Sequence, residues 1–303
     1  MKQETITIRI LITGGTGLIG RSLCQFWLAQ GHEIYVWSRC PEQVKSLCGE
    51  AVHGLAELRE LDHIKLDAVI NLAGAPIADR PWTQARRKLL RDSRIALTEH
   101  LVQWLASLSH KPEVLISGSA VGWYGDAGEQ VLTESSPVQT TDFATQLCAD
   151  WENAALAAES LAIRVVLIRT GLVLTAKGGF LSRLLPLFRL GLGGKQGSGQ
   201  QWMPWVHLDD EVALIDHLLQ HVSAQGVYNA CAPEPVRNQQ FAHALGKHLR
   251  RPAVLPVPGF ALKLMLGDMA GLLLGGQNIR PERTAEIGFE FKYRELPAAL
   301  AAL

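Results

Sequence analysis

Within the first twenty residues, Ile8–Gly20 (IRILITGGTGLIG) runs from an apolar stretch ending at Ile12 into glycines at Gly14, Gly17 and Gly20. The apolar stretch reads as a buried strand, and Ser22–Gln30 (SLCQFWLAQ) as the helix that follows it. A glycine directly after a strand permits a tight turn, and a second lets backbone N–H groups approach a pyrophosphate. A third lets the new helix pack closely on the sheet, with its positive end facing the phosphates. The spacing G-x-x-G-x-x-G is one residue longer than the better-known dinucleotide fingerprint. An ordinary strand-to-helix turn is the bland alternative, and the flanking strand and helix are what favour a nucleotide.

At 303 residues the chain can bury a sizeable core in one or two lobes. Lysine plus arginine and aspartate plus glutamate balance at 29 each, so no global field draws it to nucleic acid or to an anionic membrane. Its five cysteines (Cys24, Cys40, Cys48, Cys148, Cys231) are odd in number and contain no C-x-x-C pair. That argues for a reducing compartment, hence a cytoplasmic location, and against a thiolate metal site. The first apolar run is already the expected nucleotide strand, so no signal peptide is read before it. Phe260–Leu274 is apolar but short for a membrane span and carries Lys263 and Asp268, so it reads as a buried or substrate-covering helix.

Further along, strands are expected at Glu33–Ser38, Ala51–His53, Leu66–Leu72, Glu113–Ser117, Arg164–Arg169 and Val227–Ala230. Helices are expected over Arg21–Gln30, Thr83–Leu108 and Ala144–Leu161. Strands apolar on both faces, alternating with helices, mean an α/β doubly wound parallel sheet. Composition shifts at Ala176–Gly179 and at Gly191–Gln201, and prolines then break the chain into short pieces. We therefore expect a Rossmann domain over residues 1–174, with a segment near 205–231 returning to its sheet. A smaller C-terminal substrate lobe is expected over 175–303. The cleft between them is the default site for a small-molecule substrate.

An Asp or Glu at the end of the second strand usually meets a free ribose 2′-hydroxyl. Here that position reads Trp37-Ser38-Arg39, with Glu33 at the wrong end of the strand. A hydroxyl and a guanidinium suit a 2′-phosphate, so NADP is expected over NAD. The alternative is an exposed arginine opening a loop before Pro41.

With these features in place, the chain resembles the extended short-chain dehydrogenase/reductase superfamily, in its nucleotide-sugar epimerase/dehydratase branch. The resemblance rests on Thr13–Gly20, Asn71-Leu72-Ala73-Gly74, Ser117-Gly118-Ser119 with Tyr124-Gly125, Arg169–Val173 and Trp205–Asp210. Trp37-Ser38-Arg39, Phe188–Gly199 and Gly275-Gly276-Gln277 with Pro281 resemble a narrower, atypical subgroup. These are the "epimerase family proteins" of short-chain dehydrogenase family 39U, which carry a C-terminal domain of unknown function. The resemblance implies pyrophosphate contacts at Thr16, Gly17, Leu18 and Ile19, beside Gly14 of the turn. It implies adenosine-phosphate contacts at Ser38 and Arg39, ribose contacts at Leu72, Ala73 and Gly74, and further contacts at Arg94 and Val173. From the residues alone, Leu72-Ala73-Gly74 is a strand end where a ring can lie on backbone, or simply close packing. Arg94 lies near a basic run, Arg86-Arg87-Lys88 and Arg91, that also reads as a solvated helix face.

Oxidoreductases of this superfamily use Y-x-x-x-K on a helix, where the ammonium lowers the phenol's pKa. Four residues after Tyr35, Tyr124, Tyr228 and Tyr293 stand Arg39, Gly128, Ala232 and Pro297, so the motif is absent. Aligned on Glu152, its positions fall on Ala144 and Cys148; shifted by one, on Phe143 and Leu147. Ser119 matches the family serine and Tyr124 its Tyr-Gly tyrosine, and these two are the candidate catalytic residues. His217 and His221 lack a third ligand, so no metal site is expected. Asp209 or Asp210 is expected to cap a helix from Glu211, and Trp202 and Trp205 either stack on a ligand or fill the lobe junction. Two functions follow: an NADP-dependent oxidoreductase or epimerase-like enzyme with another proton donor, or a non-catalytic NADP(H)-sensing protein.

Overall fold

The computed structural model describes residues 7–303. Seven strands form one sheet: β1 (Arg9–Thr13), β2 (Glu33–Trp37), β3 (His53–Leu55), β4 (Ala68–Asn71), β5 (Val114–Ala120), β6 (Arg164–Thr170) and β7 (Gly226–Ala230). Their spatial order is β7-β6-β5-β4-β1-β2-β3, and every neighbouring pair is parallel. The order reverses between β1 and β4, which makes a crevice at the carboxyl ends of those two strands. This is the doubly wound Rossmann fold. At the edge of the sheet, β7 adds in parallel along β6.

Alternation within each strand explains the two-sided apolar runs. Ile10 and Ile12 face a core shared with Trp27 of α1 (Leu18–Ala29) and Leu214 and Leu218 of α6 (Leu208–Gln220). Leu11 between them faces the opposite core, with Leu101 and Leu105 of α3 (Leu97–Ser107) and Ala155 of α4 (Phe143–Leu156). A third core joins α5 (Gly179–Arg189) to α7 (Asn238–Leu249) through Leu185, Trp205, Phe241 and Leu300.

The expected long helix over Thr83–Leu108 is present but not uniform. Thr83 caps α2 (Gln84–Arg91) by accepting from the Arg86 amide, and a π-helical turn at Asp92–Ala96 separates it from α3. The expected aspartate cap at Glu211 is corrected. His207 caps α6, its Nδ1 accepting from the Asp209 amide at 3.1 Å, so Asp209 and Asp210 already lie within the first turn. The helix within 260–274 is also corrected in part. It divides into α8 (Gly259–Leu266) and a short turn at Gly271–Leu274, and Phe260, Leu264 and Met265 are exposed. Among the described residues, no helix is long and apolar enough to cross a membrane.

Candidate nucleotide site

The glycine-rich turn sits in the crevice between β1 and β4. Gly14 has φ +70°, and a Cβ there would stand 2.7 Å from the Leu72 carbonyl, so only glycine fits. A Cβ on Gly20 would strike the backbone of Gly14 and Gly15, which is the close packing of helix on turn. Gly17 has φ −76°, so no left-handed conformation demands glycine there. Its bareness leaves the front of the turn open, with only the Gly14 carbonyl near a would-be Cβ at 3.1 Å. Gly17 is also the N-cap of α1 and gives no side-chain cap, and the first turn holds no acid. Backbone N–H groups at Leu18 and Ile19 therefore have no intrahelical acceptor and aim their dipole into the crevice. The Thr16 carbonyl accepts from Arg21 Nε at 2.6 Å, which fixes the turn from behind.

Beneath the turn lies a fully buried polar knot. Thr13 Oγ1 donates to Asn71 Oδ1 at 2.7 Å and accepts from the Ala73 amide at 3.1 Å. Asn71 Nδ2 donates to Thr98 Oγ1 at 2.8 Å and to Ser117 Oγ at 3.0 Å. This knot ties the ends of β1 and β4 and the middle of β5 to α3 and sets the path of Leu72-Ala73-Gly74. Leu18, Ile19, Leu72 and Val173 are half-buried apolar residues on the rim of the core. Gly178 and Gly179 stand against the Leu18 side chain, at 3.4 and 3.3 Å from their would-be Cβ atoms.

Arg39 is exposed and makes no ion pair or hydrogen bond among the described residues. Ser38 stands beside it, half-buried, with Oγ accepting from the Cys40 amide at 3.2 Å. Arg94, in the π turn, has its guanidinium against Gly74, where a Cβ would come within 2.9 Å of Cζ. Its Cζ lies 5.3 Å from the Trp151 ring, and Nη1 makes a long bond to the Leu90 carbonyl at 3.4 Å. Among the described residues no carboxylate pairs with it, and burial pushes its pKa below the usual arginine range. A half-buried guanidinium without an anion beside exposed backbone suits a polar or anionic ligand. The turn, the open helix end, Arg39 and Arg94 thus fit a nicotinamide dinucleotide.

The residues expected to do chemistry are placed differently. Ser119 Oγ donates to Glu152 Oε1 at 2.6 Å, and both are buried. Glu152 is held by Arg169 through two bonds of 2.8 Å, and that guanidinium lies 3.5 Å from the Trp123 ring. The serine proton is committed to a structural carboxylate. Tyr124, the second catalytic candidate, is 0 % exposed, and its hydroxyl donates to Asn229 Oδ1 at 2.8 Å. Burial pushes that phenol up to about 12, which suits a fixed donor and not an acid–base group at neutral pH. Trp205 is fully buried with Nε1 on the Glu234 carbonyl, and Trp202 lies under Arg237, so both indoles are engaged by the protein.

Ala144 and Cys148 do share one face of α4, each 3.8 Å from a would-be Cβ of Gly122 after β5. That face is apolar and covered. Ala144 packs with Trp82, Leu90, Leu147 and Met269, the last arriving from the C-terminal region. Burial pushes the Cys148 thiol up to about 12. His217 Nε2 meets the Ile287 carbonyl at 3.0 Å, and among the described residues no cluster of His, Cys, Asp or Glu is placed to hold a metal. Sequence reading missed Thr13, Glu152 and Glu211. Each stood inside a quoted motif or helix, but polar residues in apolar runs carry no mark of their partners.

The family model for the NAD dependent epimerase/dehydratase family matches residues 10–231, and a domain of unknown function (DUF1731) matches 257–303. An Arabidopsis thaliana protein described as a chloroplastic homolog of epimerase family protein SDR39U1 is 40% identical over 99% of this chain and 88% of its own. The Mus musculus epimerase family protein SDR39U1 is 38% identical over 97% and 98% of the two chains. A crystal structure of the human epimerase family protein SDR39U1 with NADPH superposes with a TM-score of 0.88 at 34% identity. It covers 97% of this chain and 98% of that one. The match over most of the crevice-forming residues makes this chain a member of the NAD dependent epimerase/dehydratase family.

Proposed function

We propose that the protein is an NADP(H)-dependent oxidoreductase, or epimerase-like enzyme, that works without the family's tyrosine–lysine pair. The observation that carries this reading is Arg39, exposed and unpaired at the end of β2 where a 2′-phosphate would fall. The NADPH in the human relative's structure supports it. In this reading Gly14, Thr16, Gly17, Leu18 and Ile19 hold the pyrophosphate by backbone N–H groups and the α1 dipole. Ser38 and Arg39 bind the adenosine phosphate. Leu72, Ala73 and Gly74 give the ribose a flat backbone bed, Arg94 donates to its polar edge, and Val173 bounds the nicotinamide. The bound cofactor supplies or accepts hydride. Ser119, fixed on Glu152, keeps only lone pairs to offer a substrate donor, so it orients and does not protonate.

A charge-assisted bond to a phosphate is worth roughly ten- to a hundred-fold in affinity. Arg39→Ala is expected to weaken NADPH by that factor in calorimetry and to leave NADH nearly unchanged. Equal losses for both would show that Arg39 does not read the 2′-phosphate. A second reading, non-catalytic NADP(H) sensing, is favoured by one observation: Met269 and its neighbours cover the face of α4 where the dyad would stand. NADPH oxidation against carbonyl and nucleotide-sugar substrates separates the two. Cofactor binding with no turnover on any of them supports sensing.

A further inference from the structure

Nine of the thirteen large hydrophobic side chains that stand exposed among the described residues fall in two short stretches, 187–192 and 254–265. The two are stitched side by side. The Leu255 amide donates to the Gly193 carbonyl at 3.1 Å, and the Val257 amide to the Lys195 carbonyl at 2.9 Å. Arg251 Nε donates to the Arg189 carbonyl at 3.0 Å. The surface is therefore continuous from the end of α5 to α8. Its tip is α8, where Phe260 is 77%, Leu264 86% and Met265 70% exposed, while Leu262 faces inward. Phe260 and Leu264 are four residues apart and share one helical face.

Charge is distributed just as unevenly. No Asp or Glu occurs between Gly178 and Leu208, nor between Pro235 and Gly267, in a chain with equal numbers of acids and bases. Arg189, Lys195, Arg250, Arg251 and Lys263 are exposed around the apolar tip. Asp268, just beyond, is engaged by Arg87.

We propose that this face docks on an anionic phospholipid surface, with α8 lying in the interface plane. Protruding apolar side chains ringed by cations suit shallow insertion at the headgroup boundary, with the cations drawn by lipid phosphates. A second copy of the chain fits poorly, because a two-fold contact through this face would set the same cations against each other. The docking does not depend on the cofactor reading, and it modifies the balanced-charge expectation of no membrane contact. The net charge is zero, but this face is not neutral.

Flotation of the intact protein with vesicles of equal parts phosphatidylglycerol and phosphatidylcholine tests the proposal. Binding is expected to these vesicles, to be weakened by salt, and to be nearly absent with phosphatidylcholine alone. Phe260→Asp with Leu264→Asp is expected to abolish flotation. Each cation near an anionic surface contributes about fivefold, so Arg250→Gln with Arg251→Gln is expected to weaken binding roughly twenty-fivefold. Far-UV circular dichroism and the urea unfolding midpoint report whether each variant is folded, and neither should change. Absence of flotation by the wild type, or equal flotation of wild type and variants, overturns the proposal. So does self-association in sedimentation velocity that Leu264→Asp abolishes, without vesicle binding, which would assign the face to a second copy.

Discussion

Glu211 is a carboxyl group with no exposure, standing in the first turn of α6 behind the end of β6. Its Oε1 accepts from Thr170 Oγ1 at 2.8 Å, while Oε2 meets no polar partner among the described residues. Burial outweighs that hydroxyl and pushes the group from 4.5 up to about 8. An unfolded chain ionises the same carboxyl near 4.5, so between these values the unfolded state releases a proton that the fold retains. The stabilisation is thus full below the unfolded value and is lost as pH rises through the folded one. At about 1.4 kcal/mol per unit, the loss by pH 8 amounts to roughly a few kcal/mol. Glu211→Gln keeps the shape and removes the titration. Urea unfolding of wild type is expected to weaken between pH 5 and 8, with the variant's midpoint staying flatter. Parallel profiles for the two proteins would show that Glu211 is not neutral in the fold. At this scale the sequence was readable where backbone shape dictates the residue, as at Gly14 and Gly20. It was silent on pairings such as Ser119–Glu152–Arg169, whose members lie 17 to 33 residues apart and meet only because β5, β6 and α4 do.

The strands and helices of the sheet were legible because each carries a period that packing enforces, with Ile10, Leu11 and Ile12 facing alternate cores. Strand limits moved by a residue or two, and β5 runs on to Ala120 through small residues that look like loop. What the pattern could not reveal was the π turn at Asp92–Ala96, since a single extra residue barely disturbs a helical stripe. That turn carries Arg94, and π turns recur at functional positions. Nor could it reveal that the empty dyad face of α4 is covered from the far end of the chain. Restoring a tyrosine at Ala144 is therefore not a simple graft. A ring placed among Trp82, Leu90, Leu147 and Met269 overpacks the cluster, at a cost of about 1–3 kcal/mol. Ala144→Tyr is expected to lower stability by that amount in chemical denaturation, and adding Met269→Ala to recover part of it. Additive losses from the two substitutions would mean that the ring does not enter this cluster.

Across the whole molecule, the C-terminal residues are laced to the sheet largely by side chains that grip backbone. Glu134 accepts from the Asn229 amide of β7 at 3.1 Å and from the Arg283 amide at 3.3 Å. Arg283 donates to the Val227 and Gln225 carbonyls, and Thr284 to the Asn229 carbonyl. Tyr124 holds the side chain of that same Asn229, which gives the family tyrosine a place in the lacing. Farther along, Asp210 accepts from the Lys292 amide at 2.8 Å and the Tyr293 amide at 3.0 Å, while the Tyr293 ring sits 4.1 Å from His207. Beyond this clamp, Leu296 and Leu300 enter the third core. Asp210 is buried, and these two amides help keep its carboxylate ionised against the cost of burial. Charge-assisted bonds are worth about 1.5–3 kcal/mol each, and removing the acceptor also leaves two partly buried donors unpaired. Asp210→Ala is thus expected to cost several kcal/mol locally and to loosen the chain from about Phe289 onward before the sheet itself melts. Hydrogen exchange should show amides 292–300 losing protection in the variant, while β1, β4 and β5 keep theirs. Uniform loss across the molecule would mean that the C-terminal residues and the sheet unfold as one unit.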